Sequence, residues 1–394
     1  MKIGFFTDYA YPGGFGVEFA IDAFKSGLEK LGHEVFIYAP HDKEIKGTNP
    51  NIFRFRAVKV QKNPKMFFNF PFLPMGRRWK DVINFKLDIV HTQSPFNLGL
   101  LAKYIARKQK VPFVCTHHTD LPTWIRANMR EKFITPWLAE WWVARYSNRA
   151  DAIIALSTKI KQTLLRSGVK KQIYVLPNCI DLKLFYRNKS EAADLRKKYN
   201  IAPDNKVLIF VGRLSKEKNL IFLLRVLAEI LKTKKDAILF LVGEGYQKEE
   251  LRKAADDLKV GDNVRFTGFI PHDKVAPYYN ASDIFVMSSL SEVMPLTVLE
   301  AQACGLPCVV LEDAAFYDTI FEGKNGFLVE KQKPDVFAQK ILTLFDNAEV
   351  YEKFSQRALE VAQNFFQENL TKKLVEIYEG LIIQNSNVKS QNHN

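Results

Sequence analysis

Apolar and polar positions follow two alternating patterns along the chain. Short apolar runs such as "KVLIFVGRL" and "AILFLVG" are typical of buried strands, and "NLIFLLRVLAEILK" between them carries apolar residues at helical spacing. The alternation continues through "VRFTGF", "DIFVMSS" and "PCVVLE". Strands that alternate with helices predict a parallel sheet with helices on both faces.

The first half of the chain repeats this pattern in "KIGFFTD", "EVFIYAP", "LDIVHTQS", "PFVCTHH" and "AIIALS". We therefore predict an α/β protein with two Rossmann-like parallel-sheet domains, residues 1–186 and 187–375, that face each other across a cleft. Residues 376–394 are expected to form the end of a C-terminal helix and a disordered tail. Ligands of such sheets bind outside the carboxyl ends of the strands.

Composition supports a folded protein that does not span a membrane. Of the 394 residues, 47% are hydrophobic and 25% charged, and no apolar run approaches the length that a bilayer requires. The opening "MKIGFF" predicts a first strand and not a signal peptide. Only Cys304 and Cys308 are closely spaced, with no histidine nearby, so we expect reduced cysteines in a cytoplasmic protein.

The positive charge is concentrated in the first half. Residues 1–186 contain 29 Lys and Arg against 14 Asp and Glu, whereas the whole chain has a net charge of +14. The first domain therefore carries all of the excess. This asymmetry predicts an anionic partner, which could be a membrane surface, a nucleic acid or an acidic acceptor.

The stretch "LSEVMPLTVLEAQACGLP" places Glu292 before, and Glu300 inside, a short apolar helix. Pro295 suits the first position of that helix, and the free amides of Leu296 and Thr297 would then form an anion site. A phosphate bound there would leave one carboxylate for the hydroxyls of a sugar and the other for those of a ribose. Alternatively, Glu300 simply reaches solvent, since a buried carboxylate is costly unless it is paired.

Two further loops follow predicted strands in the second half. In "VGRLSKEKN", Arg213 and Lys218 could neutralise a leaving diphosphate. In "VGEGYQKEEL", Gly243 and Gly245 permit close approach of the backbone to a ligand. A solvated lysine-rich loop and an ordinary tight turn are the respective alternatives.

Two loops of the first half are also candidates. The glycine-rich "DYAYPGGFGVEF" could cradle phosphate oxygens, but it lacks the G-x-G-x-x-G spacing, which disfavours an NAD-dependent dehydrogenase. In "FVCTHHTDLP", His117 and His118 would face opposite ways in a strand, so at most one faces the cleft. A purely structural histidine is the alternative.

Taken in order, these pieces resemble the retaining glycosyltransferases of the GT-B fold, specifically glycosyltransferase family 4. The resemblance covers nearly the whole chain. It rests on the first glycine-rich loop and on "GHEVFIYAP", "DIVHTQSPFNLGLLA", "THHTD", "PNCIDLKLF", "GRLSKEKN", "VGEG", "FTGFI" and the two glutamates with the trailing "EAQACGLPCVV".

The resemblance implies roles for particular residues. Glu292 would hold the hydroxyls of the donor sugar, Arg213 and Lys218 would stabilise the departing diphosphate, and His118 would contact the sugar near the reacting carbon. The implied donor-binding residues are Gly14, Gly16, Gly243, Glu244, Leu296, Thr297 and Glu300. The implied donor substrate is a nucleotide sugar, UDP-linked in preference to GDP-linked, used with retention of configuration and without a cofactor. No D-x-D-type metal site is seen at a strand end.

Residues 59–80, "KVQKNPKMFFNFPFLPMGRRWK", contain six basic residues, five aromatic residues and no acid. Prolines at positions 64, 71 and 74 forbid one regular helix. We expect a loop whose apolar tips and basic collar dip into an anionic membrane. For this loop and for the tryptophan-rich stretch 124–149, the alternative is that the aromatic residues pack in the core and the charges are solvated. The membrane or acceptor residues predicted in this loop and in the tryptophan-rich stretch 124–149 are Phe67, Phe68, Phe70, Arg77, Arg78, Trp79 and Trp141.

The motifs "HTQSPFNLGLLA" and "THHTD" are most similar to members that glycosylate lipids, such as diacylglycerol glucosyltransferases and phosphatidylinositol mannosyltransferases. This similarity implies transfer of a hexose to a membrane lipid by a peripheral protein on the inner face of the cell membrane. A soluble or polysaccharide acceptor and a sugar-nucleotide 2-epimerase of the same architecture are the alternatives. A nucleic-acid partner is disfavoured because no known reading motif is present. The sugar, the base, the acceptor and the oligomeric state stay open.

Overall fold

The computed structural model describes residues 1–9, 11, 16–41, 49–60, 63–75, 79–121, 136–330 and 333–391. The chain forms two compact units. The first is Met1–Cys179 together with Gln367–Asn394, and the second is Ile180–Phe366.

The first unit contains one eight-stranded sheet. Its strands are β1 (Lys2–Phe6), β2 (Glu34–Pro40), β3 (Ile52–Val60), β4 (Asn63–Met75), β5 (Ile89–Thr92), β6 (Phe113–His117), β7 (Ala152–Ala155) and β8 (Ile173–Val175). Their spatial order is β4-β3-β2-β1-β5-β6-β7-β8. All neighbours pair in parallel except β3 and β4. The order reverses between β1 and β5, which is the switch point where ligands of such sheets bind.

Helices cover this sheet. In the described residues of the unit they are α1 (Gly16–Lys30), α2 (Trp79–Asn84), α3 (Asn97–Gln109), α4 (Pro136–Ser147) and α5 (Thr158–Arg166), followed at the C-terminus by α13 (Gln367–Gln391). The strands are apolar on both faces, as a parallel sheet covered by helices requires, and Ile3, Phe5 and Phe6 are fully buried.

The second unit contains a six-stranded, all-parallel sheet. Its strands are β9 (Val207–Val211), β10 (Ile238–Val242), β11 (Val264–Gly268), β12 (Ile284–Met287), β13 (Cys308–Leu311) and β14 (Gly326–Val329). The order is β11-β10-β9-β12-β13-β14, so the switch point lies between β9 and β12. The helices are α6 (Lys189–Lys198), α7 (Leu220–Ile230), α8 (Lys248–Asp257), α9 (Ala276–Asn280), α10 (Leu296–Ala303), α11 (Pro334–Asp346) and α12 (Ala348–Gln363). The prediction of two Rossmann-like domains is confirmed.

The predicted membrane loop at residues 59–80 is largely a strand. β4 pairs antiparallel with β3 at the edge of the sheet, with Ala57 opposite Asn69 and a shift of register at each end. Proline is tolerated in an edge strand because its missing N–H need not serve a neighbouring strand. The expectation of an irregular loop was therefore wrong for Asn63–Met75.

The C-terminal tail was also predicted wrongly. α13 continues to Gln391, and the side-chain amide of Asn385 donates to the carbonyl oxygen of Lys110 at 2.8 Å. The start of α13 packs on α1, where a Cβ on Gly27 would lie 2.2 Å from Oγ1 of Thr371. Residues from Gln367 onward thus belong to the first unit, whereas we had assigned residues up to 375 to the second.

No helix in the described ranges has both the length and the apolar character that crossing a bilayer demands.

Candidate active site

Lys218 and Glu292 form an ion pair at the switch point of the second sheet. The Lys218 ammonium donates to Oε1 of Glu292 at 2.5 Å, although the two residues follow different strands, β9 and β12. Backbone contacts hold the two loops together: the amide of Leu290 donates to the carbonyl of Glu217 at 3.0 Å, and the Ser288 hydroxyl donates to the carbonyl of Lys218 at 2.8 Å. The strand order thus brings together two of the predicted catalytic residues.

This ion pair is mostly shielded from water. The side chains of Lys218 and Glu292 are 18% and 11% exposed, so their attraction is screened less than that of a surface pair. The third predicted group, Arg213, is different. Its side chain is 51% exposed, and its guanidinium pairs with Glu217 at 3.4 Å.

The predicted glycines after β10 approach protein backbone. A Cβ on Gly243 would lie 1.9 Å from the carbonyl oxygen of Gly212, and a Cβ on Gly245 would lie 2.1 Å from that of Leu214. The amide of Leu214 also donates to the carbonyl of Glu244 at 3.0 Å. The two glycines are therefore required because the loop after β10 packs directly against the backbone of the loop after β9. The Glu244 side chain is exposed and pairs with a lysine of α8.

Glu300 is buried inside α10 and has two partners. Its Oε1 accepts from Nε2 of His272 at 2.8 Å, and its Oε2 accepts from the Tyr279 hydroxyl at 2.6 Å. The carboxylate is only 5% exposed, so the alternative of a glutamate reaching solvent was wrong. Burial, followed by the nearby carboxylate, raises the pKa of Tyr279 well above its usual value, which keeps its hydroxyl a donor.

His272 and Tyr279 were not predicted from the sequence. His272 begins a short 3-10 turn after β11, and Tyr279 lies in α9. A signal was present for His272, because it follows "FTGFIP" at the carboxyl end of a predicted strand. Tyr279 carried no such signal, since its pairing depends on the packing of α9 against α10.

The start of α10 differs slightly from the prediction. Pro295 is the N-cap, with φ −74° and ψ 119°, and not the first helical residue. Leu296 and Thr297 are the first two residues of the helix, and both are half-buried. Amides in the first turn of a helix have no intrahelical partner. The helix thus begins one residue later than predicted, but the two amides of the predicted anion site are still those of its first turn.

In the first unit, His118 lies just beyond β6. Its Nε2 lies 2.7 Å from Oε1 of Gln93, which follows β5, so the imidazole donates to the amide oxygen. Burial, and then the neighbouring His117, lower the pKa of His118 to about 3. A neutral ring that donates through Nε2 has its acceptor lone pair on Nδ1.

His117 points into the core, as the strand alternation predicted for one member of the pair. Its Nε2 lies 2.9 Å from the Ser147 hydroxyl, and burial lowers its pKa to about 4. His91 on β5 was not predicted as important. Its Nδ1 lies 2.6 Å from the hydroxyl of Tyr378 on α13, and its Nε2 lies 2.6 Å from Oγ1 of Thr116.

The first glycine-rich loop is only partly within the described residues. Gly14 lies outside them, and Gly16 is the exposed first residue of α1. Asp8, just after β1, is buried and accepts from the amide of Leu98 in the first turn of α3 at 3.0 Å and from the Ser94 hydroxyl. The loops after β1 and β5 are therefore joined at the switch point of the first sheet.

Of the predicted membrane residues, only Trp141 has a side chain within the described part of the structure. Phe67, Phe68 and Phe70 lie on β4 and Trp79 begins α2, but their side chains are outside the described set, as are Arg77 and Arg78 altogether. Trp141 on α4 is 46% exposed.

All four cysteines are buried and carry thiols that form no disulfide. Across the ranges that the structure describes, no three His, Cys, Asp or Glu side chains are grouped so that they could hold a metal ion.

Two family models match the chain. "Glycosyltransferase Family 4" matches residues 15–184, and "Glycosyl transferases group 1" matches residues 191–361. The two matches fall in the first and second unit, respectively, except that residues 180–184 lie beyond the unit boundary.

Curated relatives match from end to end. An alpha-monoglucosyldiacylglycerol synthase of Streptococcus pneumoniae is 30% identical over 393 residues, which cover 98% of this chain and 87% of the relative. A protein of the same name from Acholeplasma laidlawii is 28% identical over 397 residues, covering 98% of each chain.

Solved structures share the fold at low sequence identity. Sucrose-phosphate synthase from Thermosynechococcus elongatus has a TM-score of 0.76 at 20% identity, covering 98% of this chain and all of that one. Anabaena HepE in complex with UDP has a TM-score of 0.78 at 19% identity, covering 96% of this chain and all of that one. Both family models and a relative at 30% identity agree, and the chain belongs to glycosyltransferase family 4, with the GT-B fold.

Proposed function

We propose that this glycosyltransferase moves a hexose from a nucleotide sugar, UDP-linked in preference to GDP-linked, to a membrane lipid such as diacylglycerol, with retention of configuration. The observation that carries the glycosyl-transfer chemistry is the Lys218–Glu292 ion pair at the switch point of the second sheet. It combines a cation for a leaving diphosphate with a carboxylate for sugar hydroxyls in one shielded place.

The bond that breaks joins the anomeric carbon to the diphosphate oxygen, and the nucleoside diphosphate leaves with the electron pair. The cationic side chains of Lys218 and Arg213 would stabilise the negative charge that develops on that oxygen. The acceptor hydroxyl forms the new bond to the anomeric carbon from the same face, and its proton passes to the departing phosphate. No step in this scheme requires a metal ion or a cofactor.

Glu292 and Glu300 would divide the hydroxyls of the donor. A carboxylate offers about four lone-pair positions, so Glu292 can accept from a sugar hydroxyl while it stays bonded to Lys218. We assign the ribose to Glu300, which His272 and Tyr279 hold in one orientation. The amides of Leu296 and Thr297 are proposed to bind the phosphates, and Gly14, Gly16, Gly243 and Glu244 to line the donor site. His118 is assigned a contact with the reacting sugar.

The lipid acceptor is supported by the names of the relatives. Two proteins that match 98% of this chain are alpha-monoglucosyldiacylglycerol synthases. The excess of 29 basic over 14 acidic residues in positions 1–186 suits the anionic cytoplasmic leaflet, where we place the protein as a peripheral enzyme. Phe67, Phe68, Phe70, Arg77, Arg78, Trp79 and Trp141 remain the proposed membrane residues.

The test is transfer of labelled sugar from a panel of UDP- and GDP-sugars into liposomes that contain diacylglycerol and an anionic lipid. Label extracted with the lipid from one donor supports the proposal, and NMR of the anomeric proton gives the stereochemistry. If label is released only as free sugar, the protein cleaves the donor, but the proposed lipid acceptor is rejected. An epimerised nucleotide sugar formed without acceptor would favour the 2-epimerase. A Lys218→Ala variant controls for contaminating activity, and a chelator tests metal independence.

A further inference from the structure

Helices α3 and α4 lie side by side on one face of the first sheet. The indole N–H of Trp142 on α4 donates to the carbonyl of Pro95, just before α3, at 3.1 Å. A Cβ on Gly99 would lie 2.6 Å from the hydroxyl of Tyr146, so the glycine lets α3 approach α4 closely. Both helices belong to crossovers that move in the same direction, from β5 to β6 and from β6 to β7, which places them on the same side of the sheet.

The outward side of this helix pair exposes large apolar side chains. On α4, Trp137 is 69% and Trp141 46% exposed, and on α3, Leu100 is 43% and Tyr104 48% exposed. Each pair is spaced four residues apart, so each forms a stripe along its helix. Four large apolar side chains this exposed on two adjacent helices form a patch of the kind that marks a binding surface.

Cations extend both stripes. On α4, Arg145 follows Trp141 after four residues, with its guanidinium 5.4 Å from the indole ring. Arg149 lies two residues beyond the end of α4 and is exposed. On α3, Lys103 and Arg107 lie beside and beyond Tyr104. Burial, and then the positive charges of Arg149, Arg107 and Arg145, lower the pKa of Lys103, as expected for a cluster of cations.

The outer face of α3 and α4 is poor in negative charge. The sequence of α3 contains no acid, and that of α4 contains only Glu140. Both helices start at the carboxyl edge of the sheet, where Gln93 and His118 lie, and run away from it. The aromatic residues are therefore nearer the edge that carries the candidate histidine, and Arg107, Arg145 and Arg149 are further from it.

We infer that the outer face of α3 and α4 docks on an anionic lipid bilayer, with Trp137, Trp141 and Tyr104 at the interface and the arginines on lipid phosphates. Tryptophan and tyrosine suit the membrane interface because one end of each ring is apolar and the other polar. Clustered cations favour an anionic partner, and each one near an anionic bilayer strengthens binding about five-fold. The inference rests on the proposed function only in that a lipid acceptor brings the protein to a membrane.

The experiment measures binding of the full chain to vesicles of phosphatidylcholine with phosphatidylglycerol, and to phosphatidylcholine alone. Neutralising Arg145 and Arg149 to Gln should weaken binding to the anionic vesicles about twenty-five-fold. The matched control changes Lys372 and Lys373, exposed on α13, to Gln, and it should bind more tightly than the arginine variant.

A second pair of variants tests the aromatic part. Changing Trp137 and Trp141 to Ser should weaken binding and abolish most quenching of tryptophan fluorescence by brominated phospholipid. The control changes Leu31 and Tyr317, which are also exposed, to Ser. Strong quenching in the wild type that the Trp137 and Trp141 changes remove supports the inference, and the absence of quenching in the wild type overturns it.

Failure of this inference can be told apart from failure of the proposed function. Turnover is also measured with diacylglycerol in neutral detergent micelles, where docking is not needed. A variant with Arg145 and Arg149 changed to Gln that loses vesicle binding but keeps turnover in micelles supports the docking face. Salt-dependent vesicle binding through this face in a chain that transfers no sugar would also support it, while rejecting the proposed function. Binding by both variants at the level of their controls, or a dimer that the Trp137 and Trp141 changes abolish, would overturn it.

Discussion

The ammonium of Lys218 and the carboxylate of Glu292 lie 2.5 Å apart, although 74 residues separate them in the chain. Their loops follow β9 and β12, which are neighbours only because the strand order reverses between them. The pair can therefore serve the reaction, the structure of the two loops, or both. These roles predict different outcomes for a charge swap.

We expect Lys218→Ala and Glu292→Ala each to reduce turnover about 10²- to 10³-fold, since a positioned group that stabilises transition-state charge is worth about 3 to 4 kcal/mol. Exchanging the pair, Lys218→Glu with Glu292→Lys, should restore stability but not turnover. The measurements are kcat and the free energy of unfolding. Lys216→Ala, an exposed lysine of the same loop, is the control. Recovery of turnover in the swapped variant would show that the pair is only structural.

Glu300→Gln should raise KM for the donor with a smaller change in kcat, because a ribose contact is made in both ground and transition state. It should also destabilise the fold by about 1 to 3 kcal/mol, since the amide nitrogen of glutamine donates and cannot accept, so that one of the two bonds from His272 and Tyr279 is lost. Tyr279→Phe is the matched control: it removes a hydrogen bond to Glu300 and keeps the carboxylate, so stability should fall while donor KM stays near that of the wild type. An unchanged donor KM in Glu300→Gln would reject the ribose assignment.

The sheets and most helices could be predicted because their patterns are local. Alternating apolar strands and amphipathic helices are visible within windows of about fifteen residues. β4 was missed because Pro64, Pro71 and Pro74 argue against a strand, and only its position at the sheet edge makes them acceptable. The helical course of residues 384–391 was missed because that segment has no apolar periodicity, and its anchor, Asn385 on Lys110, is a tertiary contact.

For the candidate site too, the local features could be predicted and the tertiary contacts could not. Sequence motifs placed Lys218, Glu292 and Glu300 at strand ends or in a helix, but which groups pair depends on strand order and helix packing. The partners of Glu300 and the bond between His118 and Gln93 join segments 21 to 28 residues apart and have no local signature. The link between His91 and Tyr378 spans 287 residues and follows only from where α13 packs.

Tyr378→Phe should destabilise the protein by about 1 to 3 kcal/mol. The change removes the hydroxyl that bonds Nδ1 of His91 and leaves a fully buried imidazole nitrogen without that partner. The measurement is urea unfolding at pH 7.5. Tyr317→Phe is the matched control, because that hydroxyl is also bonded to a side chain but the residue is 50% exposed, so its loss should cost less than about 0.5 kcal/mol. Equal effects in the two variants would contradict a special role for the buried bond.

Stability should fall as the pH drops below about 6.5. Burial lowers the pKa of His91 to about 3 and that of His117 to about 4, from an ordinary 6.5, so both stay neutral in the folded chain while they take up protons in the unfolded one. The unfolded state then binds more protons between about pH 6.5 and 4, and each histidine costs about 1.4 kcal/mol per pH unit well inside that window. Above pH 7 neither contributes a slope.

His91→Gln isolates one of these contributions. In urea unfolding from pH 7.5 to 5, the free energy of unfolding of this variant should fall less steeply with decreasing pH than that of the wild type. The two slopes should differ by about 1.4 kcal/mol per pH unit in the lower part of the range. At pH 7.5 the variant should be less stable than the wild type. A His91→Gln slope equal to that of the wild type would mean that His91 is already protonated in the fold, and its bonds to Tyr378 and Thr116 would then need a different proton arrangement.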